Sequence, residues 1–151
     1  MEYTITKFIH VLLAIIAVGF NASYGIWLAR AASAPRDTQS HVLRTIKIID
    51  DRFANPAYGL LLLSGLFMVW SAGYPLTTRW IASALFLYVI LVLVGLFVYT
   101  PTLREQIRLL ESVGPESADY LRVASRGRTV GIVLAVVAVA IVFLMVAKPT
   151  A

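Results

Sequence analysis

Two polar residues, His10 and Asn21, interrupt an apolar run near the start of the chain, KFIHVLLAIIAVGFNASYGIW. In apolar surroundings an imidazole can ligate a metal ion or a haem iron, whereas an amide usually hydrogen bonds to another helix. Helical steps from His10 reach Ala14, Ala17 and Asn21, so a helix would carry both polar groups on one small face. We therefore expect this face, with His10, to point into a helix bundle.

Three further residues are candidate partners of His10 in a cofactor site. Met68 lies about one helical turn from the end of the second apolar segment, at the depth expected for His10, and Met145 is at a similar depth in the fourth. Histidine with methionine can hold haem or Cu(I), and Arg79 could pair with a haem propionate. The residues alone also allow plain packing, because methionine commonly fills gaps in apolar cores.

Other chemistry is sparse in this sequence. With no cysteine, thiolate metal sites and iron–sulfur clusters are excluded, and the apolar segments contain no Asp or Glu for a proton relay. We find no catalytic constellation and expect a non-enzymatic role. The second histidine, His41, is expected to face solvent.

A small charged group precedes the second apolar segment. Lys47 stands three and four residues before Asp50 and Asp51, which favours a surface ion-pair group. The sharper alternative is a headgroup or substrate site formed by Asp51, Arg52 and Asn55.

The elements that must position these residues are membrane helices. The chain has 151 residues, of which 60% are hydrophobic and 14% charged, whereas a soluble domain carries about 25% charged residues. Four apolar segments, near residues 5–28, 54–72, 79–100 and 129–147, meet the roughly 20 residues that a membrane span needs. The sequence therefore predicts one all-α domain over residues 1–151, an integral membrane four-helix bundle.

The distribution of basic residues predicts the topology. Of the 13 Lys and Arg, five lie between the first two spans and five between the last two; the other three are Lys7, Arg79 and Lys148. By the positive-inside rule both long connections are cytoplasmic and both termini, including Ala151, are outside, in a bacterial inner membrane. The basic surface would face anionic lipid headgroups. Nucleic-acid binding is not expected, because no base-reading element is present.

The long connections are expected to be helical extensions of the spans. Residues 39–53 form an amphipathic pattern whose apolar face would carry Val42, Ile46, Ile49 and Phe53. Pro56 predicts a kink or a fresh helix start after Asn55. The third span should continue to Ser112, and Pro115 should occupy the first position of the last helix, with Glu116 and Asp119 in its first turn.

Asn21 and Asn55 are predicted to form interhelical hydrogen bonds. Gly25 continues the small face of the first span beyond Asn21. If that face packs closely, Gly25→Leu should disrupt the bundle more than Leu13→Ala.

Three stretches resemble a family of small predicted bacterial integral membrane proteins: KFIHVLLAIIAVG, DDRFANPAYGLLLLSGLFM and PTLREQIRLL. That family in turn distantly resembles the CopD copper-resistance membrane domain and the HemJ-type protoporphyrinogen oxidase. The resemblance implies a helical bundle with a first-span histidine, here His10, and for the HemJ type it implies bound haem. HemJ-type proteins also rely on a lysine within the bundle, and the interiors of spans two to four contain none.

Three functions follow from these observations. The first is haem or metal binding through His10. The second is a structural or accessory subunit of a larger membrane complex, without chemistry of its own. The third is a small-solute transporter, which with four helices would need to oligomerise. Membrane lipids and a second copy or another membrane protein are the expected partners.

Overall fold

The computed structural model describes residues 1–149, and Ala151 lies outside the described residues. The described chain has no strand and contains six α-helices: α1 (Glu2–Ala31), α2 (Arg36–Ile49), α3 (Asn55–Ser71), α4 (Arg79–Val94), α5 (Thr100–Ser112) and α6 (Ala118–Ala147). Two π-helical turns, Asp50–Ala54 and Gly95–Tyr99, join α2 to α3 and α4 to α5. The four resulting rods are long and apolar enough to cross a membrane, which confirms the all-α, four-span prediction.

Each π turn is followed, after one intervening residue, by a proline. Pro56 and Pro101 have no N–H, and in an α-helix their rings would meet the carbonyls of Arg52 and Phe97, which both lie inside the π turns. The residue before each proline donates its N–H to the carbonyl five residues back, Asn55 to Asp50 and Thr100 to Gly95. The helix thus passes each proline by changing its hydrogen-bond register instead of breaking.

The amphipathic helix predicted before the second span is present, but its buried face is different. Gln39, Leu43 and Ile46 are buried in α2, and the same face continues to Asp50, while Phe53 is exposed. Phe53 packs beside Phe20 of α1, with ring centroids 6.1 Å apart. Ile46 is buried, and Val42 and Ile49 are half-buried against the same core, whereas Phe53 lies at the surface of the described chain.

The last helix begins later than the sequence predicts. α6 starts at Ala118, and the hydroxyl of Ser117 caps it by accepting a 3.2 Å bond from the N–H of Tyr120. Pro115 lies in the preceding turn, after Gly114, whose φ is +92°. A serine cap satisfies an otherwise unpaired amide, so Ser117, not Pro115, fixes the start.

The helices form two layers. In the membrane layer, α1 packs against α3 and α4 packs against α6. In the connecting layer, α2 and α5 pack on each other and on the adjoining ends of α1 and α6. Its core is a cluster of buried apolar and aromatic side chains: Tyr24, Leu43, Ile46, Tyr99, Leu103, Leu109, Leu110 and Tyr120. The core of the membrane layer is much smaller: Ala17, Ala57 and Leu61.

The prediction that Gly25 lies in a close contact was wrong. Gly25 is exposed, and a Cβ added there would meet nothing within 4 Å. The buried positions of α1 are Ala17, Tyr24 and Ala31. Beyond Asn21 the buried stripe passes to Tyr24, which reaches the connecting layer, so Gly25 turns outward.

Candidate functional site

A cavity of about 230 Å³ separates the two helix pairs of the membrane layer. Asp50 and Tyr99 line it at the end next to the connecting layer, and Leu62, Tyr88 and Ala138 line it deeper in the membrane layer. At 1.5 Å per residue, Asp50 and Leu62 are about 18 Å apart along their helix. The cavity therefore reaches from the edge of the connecting layer well into the membrane layer.

Asp50 is the charged residue of this cavity. Only 4% of its surface is exposed, and its Oδ2 accepts a long bond of 3.4 Å from the side-chain amide of Asn55. Among residues 1–149, no Lys, Arg or His forms an ion pair with it, because the nearby Lys47 pairs with Asp51. An isolated buried carboxylate is costly, so Asp50 must either carry a proton or find a cation.

The fold explains why Asp50 and not Asp51 faces the cavity. Asp50 lies in helical phase with the buried Leu43, Ile46 and Ala54, whereas Asp51 and Arg52 are exposed. Sequence patterning directs attention to Asp51 and Arg52 as interface charges and does not single out Asp50. The available signal was its phase with the apolar residues of α2.

Phenol and amide groups cross the cavity region and join three helices. The side-chain amide of Asn21 on α1 donates to the hydroxyl of Tyr58 on α3 at 2.8 Å. The hydroxyl of Tyr88 on α4 donates to the backbone carbonyl of Tyr58, and the two rings meet edge to face at 6.5 Å. Asn21 thus makes an interhelical bond, whereas the side chain of Asn55 donates to Asp50 of the same rod.

One phenol near Asp50 has no hydrogen-bond partner. In the part of the chain that the structure describes, the hydroxyl of Tyr24 is the only fully buried side-chain polar atom left unpaired. Tyr58 and Tyr99 line the cavity together with Asp50. Unpaired buried polar groups are rare in folded proteins, so the hydroxyl of Tyr24 is an exception that packing alone does not explain.

His10 lies on a different side of the membrane layer, between α1 and α3. Its Nδ1 is 2.9 Å from the hydroxyl of Ser64, which itself donates to the carbonyl of Leu60 at 2.7 Å. When the hydroxyl proton of Ser64 is donated to the Leu60 carbonyl, Nδ1 is the donor to Ser64. In a neutral ring this leaves Nε2 with its lone pair. The ring lies so close to α3 that a Cβ on Gly65 would be 3.2 Å from its Cε1.

The structure places the predicted partners of His10 in two regions. Met68 is half-buried, one turn beyond Ser64 on α3, and is thus on the helix that His10 contacts. Arg79 is exposed at the start of α4, in a surface recess of about 410 Å³ that it shares with Trp80 and Leu144. Because α4 packs on α6 and not on α1, Arg79 and His10 belong to separate helix pairs.

Comparison with known proteins identifies the family and nothing narrower. No curated protein and no solved structure matches the chain. The model of a family described as predicted integral membrane protein (DUF2269) matches residues 4–149. This agrees with the resemblance of the three sequence stretches, while the more distant resemblance to CopD and HemJ stays a prediction. The chain therefore belongs to the DUF2269 family of predicted integral membrane proteins.

Proposed function

We propose that this integral membrane protein binds a small cationic solute at Asp50, as the substrate site of an oligomeric small-solute transporter. The observation that carries the proposal is the buried carboxylate of Asp50, which faces a cavity and has no cation from the described chain. Ionisable residues inside a membrane bundle commonly mark substrate or ion pathways.

The electrostatics of the cavity favour a cation over an anion or a neutral solute. A bound positive charge would supply the ion pair that Asp50 lacks and offset the penalty of burying the carboxylate. Tyr58, Tyr88 and Tyr99 also line the cavity, and aromatic faces attract desolvated cations. No basic side chain lines the cavity to compete for Asp50.

The test is thermal unfolding of the purified protein with a panel of inorganic and organic cations, for wild type and Asp50→Asn. A cation that binds should raise the wild-type midpoint by about 5 to 10 °C near 100 times its Kd, and Asp50→Asn should remove the rise. Asp51→Asn is the matched control, because Asp51 is exposed and pairs with Lys47. If no cation stabilises wild type, the accessory-subunit alternative gains and the proposal fails.

A haem or metal site at His10 is the second candidate. The observation that favours it is the hydrogen bond between Nδ1 and Ser64, which orients the ring; metal-ligating histidines are commonly fixed through their other nitrogen. Against haem, neither of the two cavities described above includes His10 or Met68. The test compares the visible spectrum and metal content of wild type, His10→Ala and the exposed-histidine control His41→Ala. Equal values in all three would reject this candidate.

We also propose that the connecting layer is cytoplasmic and that both termini lie outside, in a bacterial inner membrane. Ten of the 13 basic residues support this, because they belong to the two connections. The chain has no cysteine, so Ser112→Cys and Lys148→Cys can be labelled singly in cells. An impermeant reagent should reach residue 148 and not residue 112; the reverse pattern would overturn the topology.

A further inference from the structure

We infer that the ligand of the Asp50 cavity is an ammonium group attached to an apolar body, and that it enters sideways from the bilayer between α3 and α4. This inference rests on the proposed cation site. It adds the chemical class of the ligand and the route by which the ligand reaches Asp50.

The route follows from the packing of the helices. α1 closes the cavity against α3 and α6, whereas α3 and α4 meet through the contact of Tyr58 with Tyr88 and have few close backbone approaches. Gly59 of α3 and Leu96, in the π turn after α4, both line the cavity and are both exposed, Leu96 to 47%. The cavity therefore opens on the side of the membrane layer that faces lipid.

The ligand class follows from the two ends of the cavity. The polar groups next to the connecting layer are Asp50, Asn55 and Tyr99, and the deeper walls include Leu62, Leu91 and Leu134. A molecule that matches both ends has one positive group and an apolar remainder. An ammonium carries three N–H donors, which suit the carboxylate of Asp50 and the amide oxygen of Asn55.

A divalent metal ion fits this site poorly. Ca²⁺ takes six to eight oxygen ligands, and Mg²⁺ requires an octahedral shell, whereas Asp50 is the single carboxylate of the cavity. Among residues 1–149 there is no group of three His, Cys, Asp or Glu side chains that could hold a metal ion. The apolar walls would also have no role in binding a bare ion.

Two sources supply this chemistry: the headgroup of an aminophospholipid and a free amphiphilic amine. The volume of about 230 Å³ is below the 300–1,000 Å³ of pockets for drug-sized ligands. The enclosed part therefore holds an ammonium and a short apolar segment, and any longer chain would extend through the opening into the bilayer.

The experiment measures binding to the full chain in a non-ionic detergent, by thermal shift and by native mass spectrometry. The soluble probes are decylamine, decanol, K⁺ and Mg²⁺; the lipid probes are phosphatidylethanolamine and phosphatidylcholine. We expect decylamine to bind at least about tenfold tighter than decanol, because a charge-assisted hydrogen bond adds to the same tail. Asp50→Asn should remove that difference, and Asp51→Asn should keep it.

A second variant tests the route. An added Cβ at Gly59 would meet nothing within 4 Å, so Gly59→Leu should fold normally while narrowing the opening. It should slow the binding of decylamine. Gly25→Leu is the control, because Gly25 of α1 is equally unobstructed but does not line the cavity, and this variant should leave the rate unchanged.

The outcomes separate the ligand source and the two proposals. Tighter binding of phosphatidylethanolamine than phosphatidylcholine, dependent on Asp50, supports the class with a lipid as source; binding of decylamine alone supports it with a free amine. Equal binding of decylamine and decanol overturns the proposed ligand class. If Gly59→Leu leaves the rate of decylamine binding unchanged, the proposed entry route between α3 and α4 is wrong. Asp50-dependent binding of K⁺ or Mg²⁺ alone overturns the inference and leaves the cation site standing. No Asp50-dependent binding overturns both.

Discussion

The connecting layer and the membrane layer solve the problem of helix packing in different ways. The connecting layer buries a continuous cluster from Tyr24 to Tyr120 and ties its helices with polar contacts, such as the 3.1 Å bond from the Tyr120 hydroxyl to Gln39. The membrane layer has a core of three small or medium residues and leaves a cavity between two helix pairs. The two layers meet at the π turns.

The difference follows from the solvent that each layer faces. Lipid tails are as apolar as leucine, so membrane helices gain little from burying apolar surface against each other. The charged residues of α2 and α5 favour a position outside the lipid, where the hydrophobic effect acts in full. The connecting layer therefore joins the two helix pairs, which are separated by the cavity in the membrane layer. Asp50 lies where the two layers meet.

The largest expected effect is the loss of a leucine from the connecting layer. Leu110 is fully buried, whereas Leu63 of α3 is 65% exposed on the lipid-facing surface. Leu110→Ala should lower the free energy of unfolding by about 2–5 kcal/mol, through lost burial and the cavity it leaves. Leu63→Ala should change it by a small fraction of that. Denaturant titration in detergent measures both, and similar losses for the two variants would mean that the layers do not differ in packing.

The next effect tests a tight contact of the membrane layer, the approach of Gly65 to the ring of His10. Gly65→Ala places a Cβ 3.2 Å from the ring of His10, and overpacking typically costs about 1–3 kcal/mol. Gly25→Ala meets no atom within 4 Å and should be tolerated. The midpoint of thermal unfolding compares them, and the double variant Gly65→Ala with His10→Ala should recover part of the loss. If Gly65→Ala is harmless alone, His10 does not rest on α3 as described.

Gly25 and Gly65 show which features of the fold could be predicted from the sequence and which could not. Span number, the all-α class and the helical connections depend on composition and periodicity, and they could be predicted. The contacts of Gly25 and Gly65 could not, because they depend on how α1 is rotated against α3. Asp50 could not be singled out for a related reason: it is the first residue of the π turn, so its side chain follows the buried face of α2 and not that of the membrane helix.

The smallest expected effect concerns the polar contacts of Glu111 on the surface of the connecting layer. Glu111, at the end of α5 beyond the apolar part of the third span, accepts bonds from the Ser40 hydroxyl at 2.8 Å and from Arg44 Nε at 2.7 Å, and Arg36 donates to its backbone carbonyl. The hydrogen bond from Ser40, together with Arg44, lowers the pKa of the Glu111 carboxyl below its ordinary value. These contacts join α2 to α5 on the exposed side of the layer.

A lowered pKa means that the folded state favours the ionised carboxylate. The contribution of Glu111 to stability is therefore present above its ordinary pKa and is lost as pH falls through the lower, folded-state value. Glu111→Gln should lower the unfolding midpoint slightly at neutral pH and remove this part of the acid dependence, and added salt should narrow the gap to wild type because the group is exposed. Glu105→Gln is the control, since Glu105 pairs with Arg108 within α5 and joins no second helix. If Glu105→Gln and Glu111→Gln lower the midpoint equally, the contact of Glu111 with α2 contributes no more than a local ion pair. The stability of the connecting layer would then depend on its apolar core alone.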